Sequence, residues 1–439
     1  MRPADVHPVQ ADEFAQWMSR FAPYERAPRL AVAVSGGRDS LALTHLAADW
    51  ARARGGQVLA VTVDHGWRDS SAAEAAQVGD WMAAQNIPHT VLVWNSPQTG
   101  RGLEVAAREA RYGMLEEFCR AQGALHLLLG HHQSDQQETH MMRRARRSGP
   151  AGLAGMSGVR ELAHLRVLRP LLAVPRARLT ATLQARGLDW IEDPSNRDLR
   201  FERARLRASS DPAEADSAVR ERVARYGRER ARLDRECAIL AAASVQVNPA
   251  GFALLKMDRL RAAASDVARE LLGRLVTSVS GGIYPPRGAR LSNLWHRIRD
   301  DQMDRTRTLA GCLIHPLDDD TLMICREVSA LPEPEAALQM PLRGQTRFWD
   351  GRFRLAVGRK DENLCVDALG RAGRNNPDGA GHDDYAGLHR DVRFALPALY
   401  RGGELVARPS FDPDDAPART VHVRFAPQVA VCDAPFGKV

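Results

Sequence analysis

Five apolar residues, Leu30 to Val34, stand in unbroken succession and give way to Ser35-Gly36-Gly37. So short an apolar run before a Gly turn predicts a buried strand. Leu41, Leu43 and Leu46 follow at a spacing that faces a sheet, and predict a helix over Asp39–Arg54 that Gly55-Gly56 stops. The same alternation then recurs. Strands are predicted over Val58–Val63, Thr90–Val93 and Leu125–Leu129. Helices are predicted from Ser70-Ser71 to about Gln85, with Asp69 or Ser70 as cap and Glu74 in the first turn, and over Leu103–Ala121 and Ser134–Arg146. A short helix over Asp12–Phe21 precedes them. Strands alternating with helices at this spacing build βαβ units and a parallel sheet, so the fold class is α/β with an N-terminal doubly wound parallel sheet.

Beyond residue 147 the pattern changes. Ser148–Gly158 is a Gly-rich loop, either a linker or a segment that orders over a substrate. A helix is expected over Pro175–Arg186, and an Arg-rich helical stretch over Phe201–Cys237 is interrupted near Ser209–Pro212. Helices follow over Asp258–Leu275 and Leu291–Asp301, and strands over Thr308–Ile314 and Leu322–Val328. Leu331-Pro-Glu-Pro334 reads as a linker. Thr346–Val357 and Val421–Phe425 are β-rich and flank a long loop over Asp361–Asp391. The expected division is a catalytic α/β domain over 1–208, a mainly helical domain over 209–333, and a small β-rich domain over 334–439.

Composition narrows the function classes. No apolar run approaches the ~18 residues of a membrane span, and the N-terminus lacks the basic-then-apolar order of a signal peptide. The six cysteines are scattered without a C-x-x-C pair, which argues against a zinc ribbon, a disulfide framework or a redox pair and fits a cytoplasmic protein. Net charge is +7, but residues 141–207 hold 15 arginines against 6 acids. A concentrated positive stretch suggests a polyanionic partner. Three lysines against 58 arginines show a chain-wide preference for Arg, so many of these arginines are also readable as solvated helix faces.

A strand, a Gly turn and a helix start form an anion site, because unpaired N–H groups and the positive helix end point to one place. Ser35, Gly36, Gly37, Arg38, Asp39 and Ser40 make up that turn. The Walker lysine is missing and Asp39 stands near its place. A carboxylate beside a polyphosphate requires a cation between them, so Asp39 implies Mg²⁺. The bland alternative is a packing turn that binds nothing. Asp64-His65 and His131-His132 also fall at strand C-terminal ends, where ligands of open parallel sheets sit. The coincidence of three marked sequences at that edge argues for an active site. His131, Asp135 and Glu138 are expected on one helix face at i, i+4 and i+7. They could hold a metal, or take an ammonium group and help deprotonate it.

Ser35-Gly-Gly-Arg-Asp-Ser40 resembles the SGGxDS signature of PP-loop ATP pyrophosphatases, and Asp64-His-Gly-Trp-Arg68 that superfamily's second-strand motif. Leu103-Glu-Val-Ala-Ala-Arg-Glu-Ala-Arg-Tyr112, Gly130 to Thr139, Ser148 to Met156, Arg169-Pro-Leu-Leu172 and Glu192-Asp-Pro-Ser-Asn196 are similar to the tRNA(Ile)-lysidine synthetase family, in family order. The resemblance implies an adenine nucleotide alpha hydrolase-like fold. It implies ATP and Mg²⁺ as cofactors, and free L-lysine and the isoleucine tRNA with a CAU anticodon as partners; a homodimer is left open. Asp39 would hold the metal, with Ser35–Ser40, Asp64 and His65 around ATP. Arg111 and Arg203 would steady the α-phosphate. His131, Asp135 and Glu138 would receive lysine, and Arg143, Arg144, Arg146 and Arg147 would contact tRNA. Two positions depart from the family pattern: Ser134 replaces a usual acid, and Ala204 a usual Asn. A PP-loop thiolase and a non-catalytic tRNA-binding protein of the same fold are the rival readings. The missing cysteine pair argues against the first, and the intact Asp39 and Asp135 against the second.

Overall fold

The computed structural model describes residues 6–64, 66, 71–94, 103–146, 148–162, 164–192, 214–333, 346–357, 365–372, 385, 387–411 and 421–432. The chain divides into two compact units, within Met1–Arg232 and within Leu233–Asp433.

The first unit is built on a six-stranded sheet of order β3-β2-β1-β4-β6-β5. Its strands are β1 (Arg29–Ala33), β2 (Gln57–Asp64), β3 (His89–Val93), β4 (His126–Leu129), β5 (Val159–Glu161) and β6 (Arg166–Leu168). All neighbours pair in parallel except the edge hairpin β5–β6. Successive side chains of a strand point to opposite faces, and the core divides accordingly. Leu30, Val32, Val58, Ala60, Leu128 and Leu168 lie in one apolar cluster with helix residues such as Leu41, Trp50 and Leu179. Ala31, Ala33, Leu59, Val61, Leu127 and Val167 lie in another with Leu115, Phe118 and Cys119. Burial on both faces is why these strands read as continuous apolar runs. The helices are α1 (Ala11–Ser19), α2 (Arg38–Arg52), α3 (Ser71–Ala84), α4 (Leu103–Ala121), α5 (Gln133–Ala145), the single turn α6 (Pro150–Leu153), α7 (Arg176–Ala185) and α8 (Glu214–Ser244), which crosses the division between the units. The sheet reverses its order at β1, between β2 and β4, and ligands of such sheets bind in the crevice beyond the strand ends there.

The second unit contains a five-stranded antiparallel sheet formed by Val245–Asn248, Phe252–Lys256, Thr321–Arg326, Cys312–Pro316 and Arg307–Leu309 in spatial order. Its first two strands were missed within the stretch expected to be mainly helical, because Val245–Asn248 follows α8 without a break and its residues are only partly covered. The single helix expected over Asp258–Leu275 is two, Met257–Ala262 and Ser265–Ser280. One sheet face buries Leu255, Ile314 and Ile324 against helix residues Leu272, Val276 and Trp295. The other buries Phe252, Met323 and Cys325 with Trp349, Phe353 and Leu355. Residues on both sides of 334 thus share one core. Arg326 and Arg352 clamp the buried Asp350 there, at 2.8 and 2.6 Å. The long loop expected over 361–391 contains a described strand, Cys365–Ala368, paired with Pro397–Arg401.

Candidate active site

The turn after β1 is shaped by close approaches. Gly36 has φ +77°, and a Cβ there would lie 2.7 Å from Ile191 Cδ1 and 2.9 Å from Val78 Cγ2. Only glycine adopts this conformation in that space without strain. Ser40 Oγ accepts the Ser35 N–H at 3.1 Å and donates to the Gly37 carbonyl at 2.9 Å. The loop is therefore closed by its own serine, and the first-turn N–H groups of α2 face the strand ends. Gly130, just past β4, packs on the same turn: a Cβ there would sit 3.0 Å from Ser40 Cα and 3.1 Å from Asp39 O.

Asp39, in the first turn of α2, meets two cationic or donor groups. His132 Nε2 lies 3.4 Å from Asp39 Oδ2, and Arg176 Nε lies 3.6 Å from the same oxygen. Both separations exceed a normal hydrogen bond, and the other oxygen, Oδ1, is buried with no hydrogen-bond partner. His132 also approaches Asp135, with Nε2 3.8 Å from Oδ2. The tautomer follows from the network. His132 Nδ1 accepts the Ser134 N–H at 3.1 Å, so a neutral ring carries its proton on Nε2, facing both carboxylates. Asp135 Oδ2 accepts the His132 N–H at 2.9 Å. His132 is thus the N-cap of α5, and the reciprocal bonds form a capping box.

The Gly-rich stretch after α5 is anchored rather than a plain linker. Gln136 donates to the Met156 carbonyl at 2.8 Å and accepts the Met156 N–H at 2.6 Å. Arg143 donates to the carbonyls of Gly152 and Gly155, and Arg230 of α8 to that of Ala151. Burial pulls the Arg143 pKa below its usual value.

Ser35, Gly36, Gly37, Asp39, Ser40 and Asp135 are brought together as expected from the sequence. Four other placements revise it. His131 precedes α5, which begins at Gln133, so His131, Asp135 and Glu138 do not form one helical face; His132 joins the carboxylates instead. Glu138 is buried on α5. Arg38, expected to face phosphate, turns its guanidinium to Glu192 at 2.6 Å and stacks over Trp190. With the Ile191 N–H on the Gly36 carbonyl at 2.9 Å, this ties segment 190–192 over the turn. Arg143 is committed to loop carbonyls, whereas Arg144 and Arg146 are exposed. Asp64 ends β2 and accepts the Gly66 N–H at 2.8 Å, and Arg111 is exposed on α4. His65, Arg147 and Arg203 lie outside the described residues. Sequence reasoning marked the His131-His132 pair but assigned the role to His131, and it passed over Arg176 and Gln136. An adjacent His pair before a helix start was the signal for His132; nothing local marked Arg176 or Gln136.

The model of the PP-loop domain matches residues 9–213. A tRNA(Ile)-lysidine synthase from Ruegeria pomeroyi is 36% identical over 392 residues, covering 87% of this chain and 88% of that one. The chain belongs to the tRNA(Ile)-lysidine synthase family. A second such synthase, from Brucella suis biovar 1, is 35% identical over 403 residues, with 88% and 86% covered. Among solved structures, the chain is similar to a U34-tRNA thiolase, NcsA, from Methanococcus maripaludis, at 16% identity and TM-score 0.41 over 50% of this chain and 78% of that one. The relationship to the lysidine synthases spans most of both chains, well beyond the residues 9–213 that the PP-loop domain accounts for.

Proposed function

We propose that this protein forms a carbon–nitrogen bond between free L-lysine and C2 of the wobble cytidine in the isoleucine tRNA bearing a CAU anticodon, using ATP. The observation that carries the reading is the convergence of Asp39 and Asp135 on His132 beside the PP-loop turn. One carboxylate serves the nucleotide side and the other the amine side, and one imidazole links them. The name shared by the relatives supports the same reading.

In the first step the cytidine C2 oxygen attacks the α-phosphorus of ATP, and pyrophosphate leaves. In the second the lysine ε-amine attacks C2, AMP leaves with the former C2 oxygen, and the amine loses a proton. The Ser35–Ser40 turn offers backbone N–H groups to the departing pyrophosphate. Arg111 and Arg203 are assigned to the α-phosphate, where guanidinium groups position and neutralise. Asp135 and Glu138 are assigned to the lysine ammonium, and Asp135 is the group that accepts its proton. Asp64 and His65 are placed around ATP, and Arg144, Arg146 and Arg147 on tRNA phosphates, which position without specifying. The protein is assigned to the cytoplasm, where its tRNA substrate is.

Mg²⁺ fits the site. Asp39 Oδ1 is buried and unpartnered, and a hard carboxylate oxygen is the ligand type this ion takes. Asp39 would hold it, and when bound it offsets charge on the leaving pyrophosphate. Thiolation chemistry is less well supported. Cys119, the one cysteine before residue 233, is buried on α4, and burial pushes its thiol up to about 12, far from the thiolate a sulfur carrier needs.

The test is pyrophosphate release from ATP by the purified protein with its tRNA and lysine. Release that depends on the CAU-anticodon tRNA supports the reading. No release with that tRNA overturns it.

A further inference from the structure

A second group of candidate ligands lies in the other unit, remote in sequence from the PP-loop residues. His315 sits on the strand Cys312–Pro316, and His389 and Asp391 at the short helix Arg390–Phe394. One ligand atom from each lies within 4.8 Å of the others, the one such group among the described residues. His315 Nε2 is 3.1 Å from Asp391 Oδ2, and His389 Nδ1 is 3.8 Å from that oxygen. The two rings lie 4.7 Å apart.

His315 Nδ1 lies 2.8 Å from Thr306 Oγ1. If that nitrogen carries the proton and donates to the hydroxyl, Nε2 presents a lone pair to a carboxylate oxygen. His315 Nε2 is buried and has no hydrogen-bond partner. His389 Nδ1 accepts the Asp391 N–H at 3.3 Å, a long bond that a ligating ring would give up. An imidazole lone pair and a carboxylate oxygen 3.1 Å apart repel unless a cation or a proton lies between them.

The spacing suits a cation. Zinc holds nitrogen and oxygen ligands at roughly 2.0–2.2 Å in a tetrahedron, which places ligand atoms about 3.3–3.5 Å apart. The 3.1 and 3.8 Å separations bracket that value, and the half-exposed His389 ring has room to adjust. The Thr306 hydroxyl supplies the outer hydrogen bond that fixes a ligating ring. We propose that His315, His389 and Asp391 form a structural site for a divalent d-block cation such as Zn²⁺, joining the strand Cys312–Pro316 to the helix Arg390–Phe394. The fourth position would be water, and no catalytic role is assigned.

Equilibrium dialysis of the full chain against Zn²⁺, with metal content read by mass spectrometry, tests this in a Cys432→Ser background that removes the exposed thiol. One equivalent is expected to be lost in His389→Gln and in Asp391→Asn, with affinity falling at least tenfold. That equivalent should persist in Asp39→Asn. Zn²⁺ should also raise the melting temperature of the parent chain and not of His389→Gln. Because His389 is partly exposed, its variant is expected to keep the parent's circular dichroism. Unchanged zinc content and unchanged thermal response in a folded His389→Gln would overturn the proposal, as would absence of any bound equivalent in the parent.

Discussion

His132 Nε2 stands 3.4 Å from Asp39 Oδ2 and 3.8 Å from Asp135 Oδ2, so one buried imidazole proton faces carboxylates from two different βα connections. The arrangement follows from the capping of α5, which fixes the ring by its Nδ1. Catalytic contacts that are long in the free enzyme shorten with substrate bound, and a hydrogen bond to a charged group then contributes about 1.5–3 kcal/mol, worth roughly 10- to 150-fold in rate. His132→Ala should therefore lower pyrophosphate release by at least about tenfold, while His131→Ala should have a smaller effect. Steady-state release assays on both variants check this. Equal losses would mean that the ring of His132 has no distinct role.

The arginines after α5 should separate into two groups. Arg144→Ala and Arg146→Ala are expected to weaken tRNA binding, each reducing the salt slope by about one where it neutralises a phosphate. Arg143→Ala should instead loosen the 148–158 segment whose carbonyls it holds. Filter binding across a salt series, with limited proteolysis of that segment, distinguishes the groups. An unchanged slope in Arg144→Ala and Arg146→Ala would return those residues to a solvated helix face.

His45 gives the first unit a pH dependence. It is buried in α2, and burial, aided by Arg186, lowers its pKa to about 4, against about 6.5 in an unfolded chain. The folded state therefore holds the ring neutral, and the unfolded state binds the proton first. This contribution is fully present above pH 6.5 and is lost as pH falls from 6.5 toward 4. The loss is on the order of 3 kcal/mol. His45→Gln should flatten thermal unfolding across that window, as measured by calorimetry from pH 7 to pH 4.5.

Asp350 holds the second unit's buried charges together. Arg326 and Arg352 both bond its carboxylate, and all three side chains are largely buried. Removing the acid strands buried cations, a change that costs about 3–5 kcal/mol. Asp350→Asn, which tolerates the positive φ of 49° at this turn, should lower the urea midpoint of the second unit's transition accordingly. A shift under 1 kcal/mol would mean water reaches the arginines.

What the sequence made legible was local. Leu30–Val34 and Gly36-Gly37 announced a strand and a turn because burial on both faces and a positive φ each leave a mark within a few residues. The neighbouring placement of Asp39 and Asp135 came through their shared position at strand ends. The choice between His131 and His132 did not. It depends on where α5 starts, and that is settled by a carboxylate bonding back to a backbone N–H three residues away. Arg38 looked like a phosphate ligand because nothing near it in sequence reveals Glu192 or Trp190. Arg176 reaches Asp39 from α7, a contact that only the sheet order creates. The strand Val245–Asn248 was hidden because it extends a long helix without a turn signal and its apolar–polar alternation lasts only four residues.

The central claim is that this protein attaches lysine to a base, and it is tested most directly by incubating it with ATP, Mg²⁺, isotopically labelled lysine and the CAU-anticodon isoleucine tRNA, then digesting the tRNA and weighing the wobble nucleoside. The account predicts a cytidine that has gained lysine with loss of water and carries the label, and predicts none from Asp39→Asn or Asp135→Asn. An unmodified cytidine from the parent protein, or a sulfur-containing product, would contradict it.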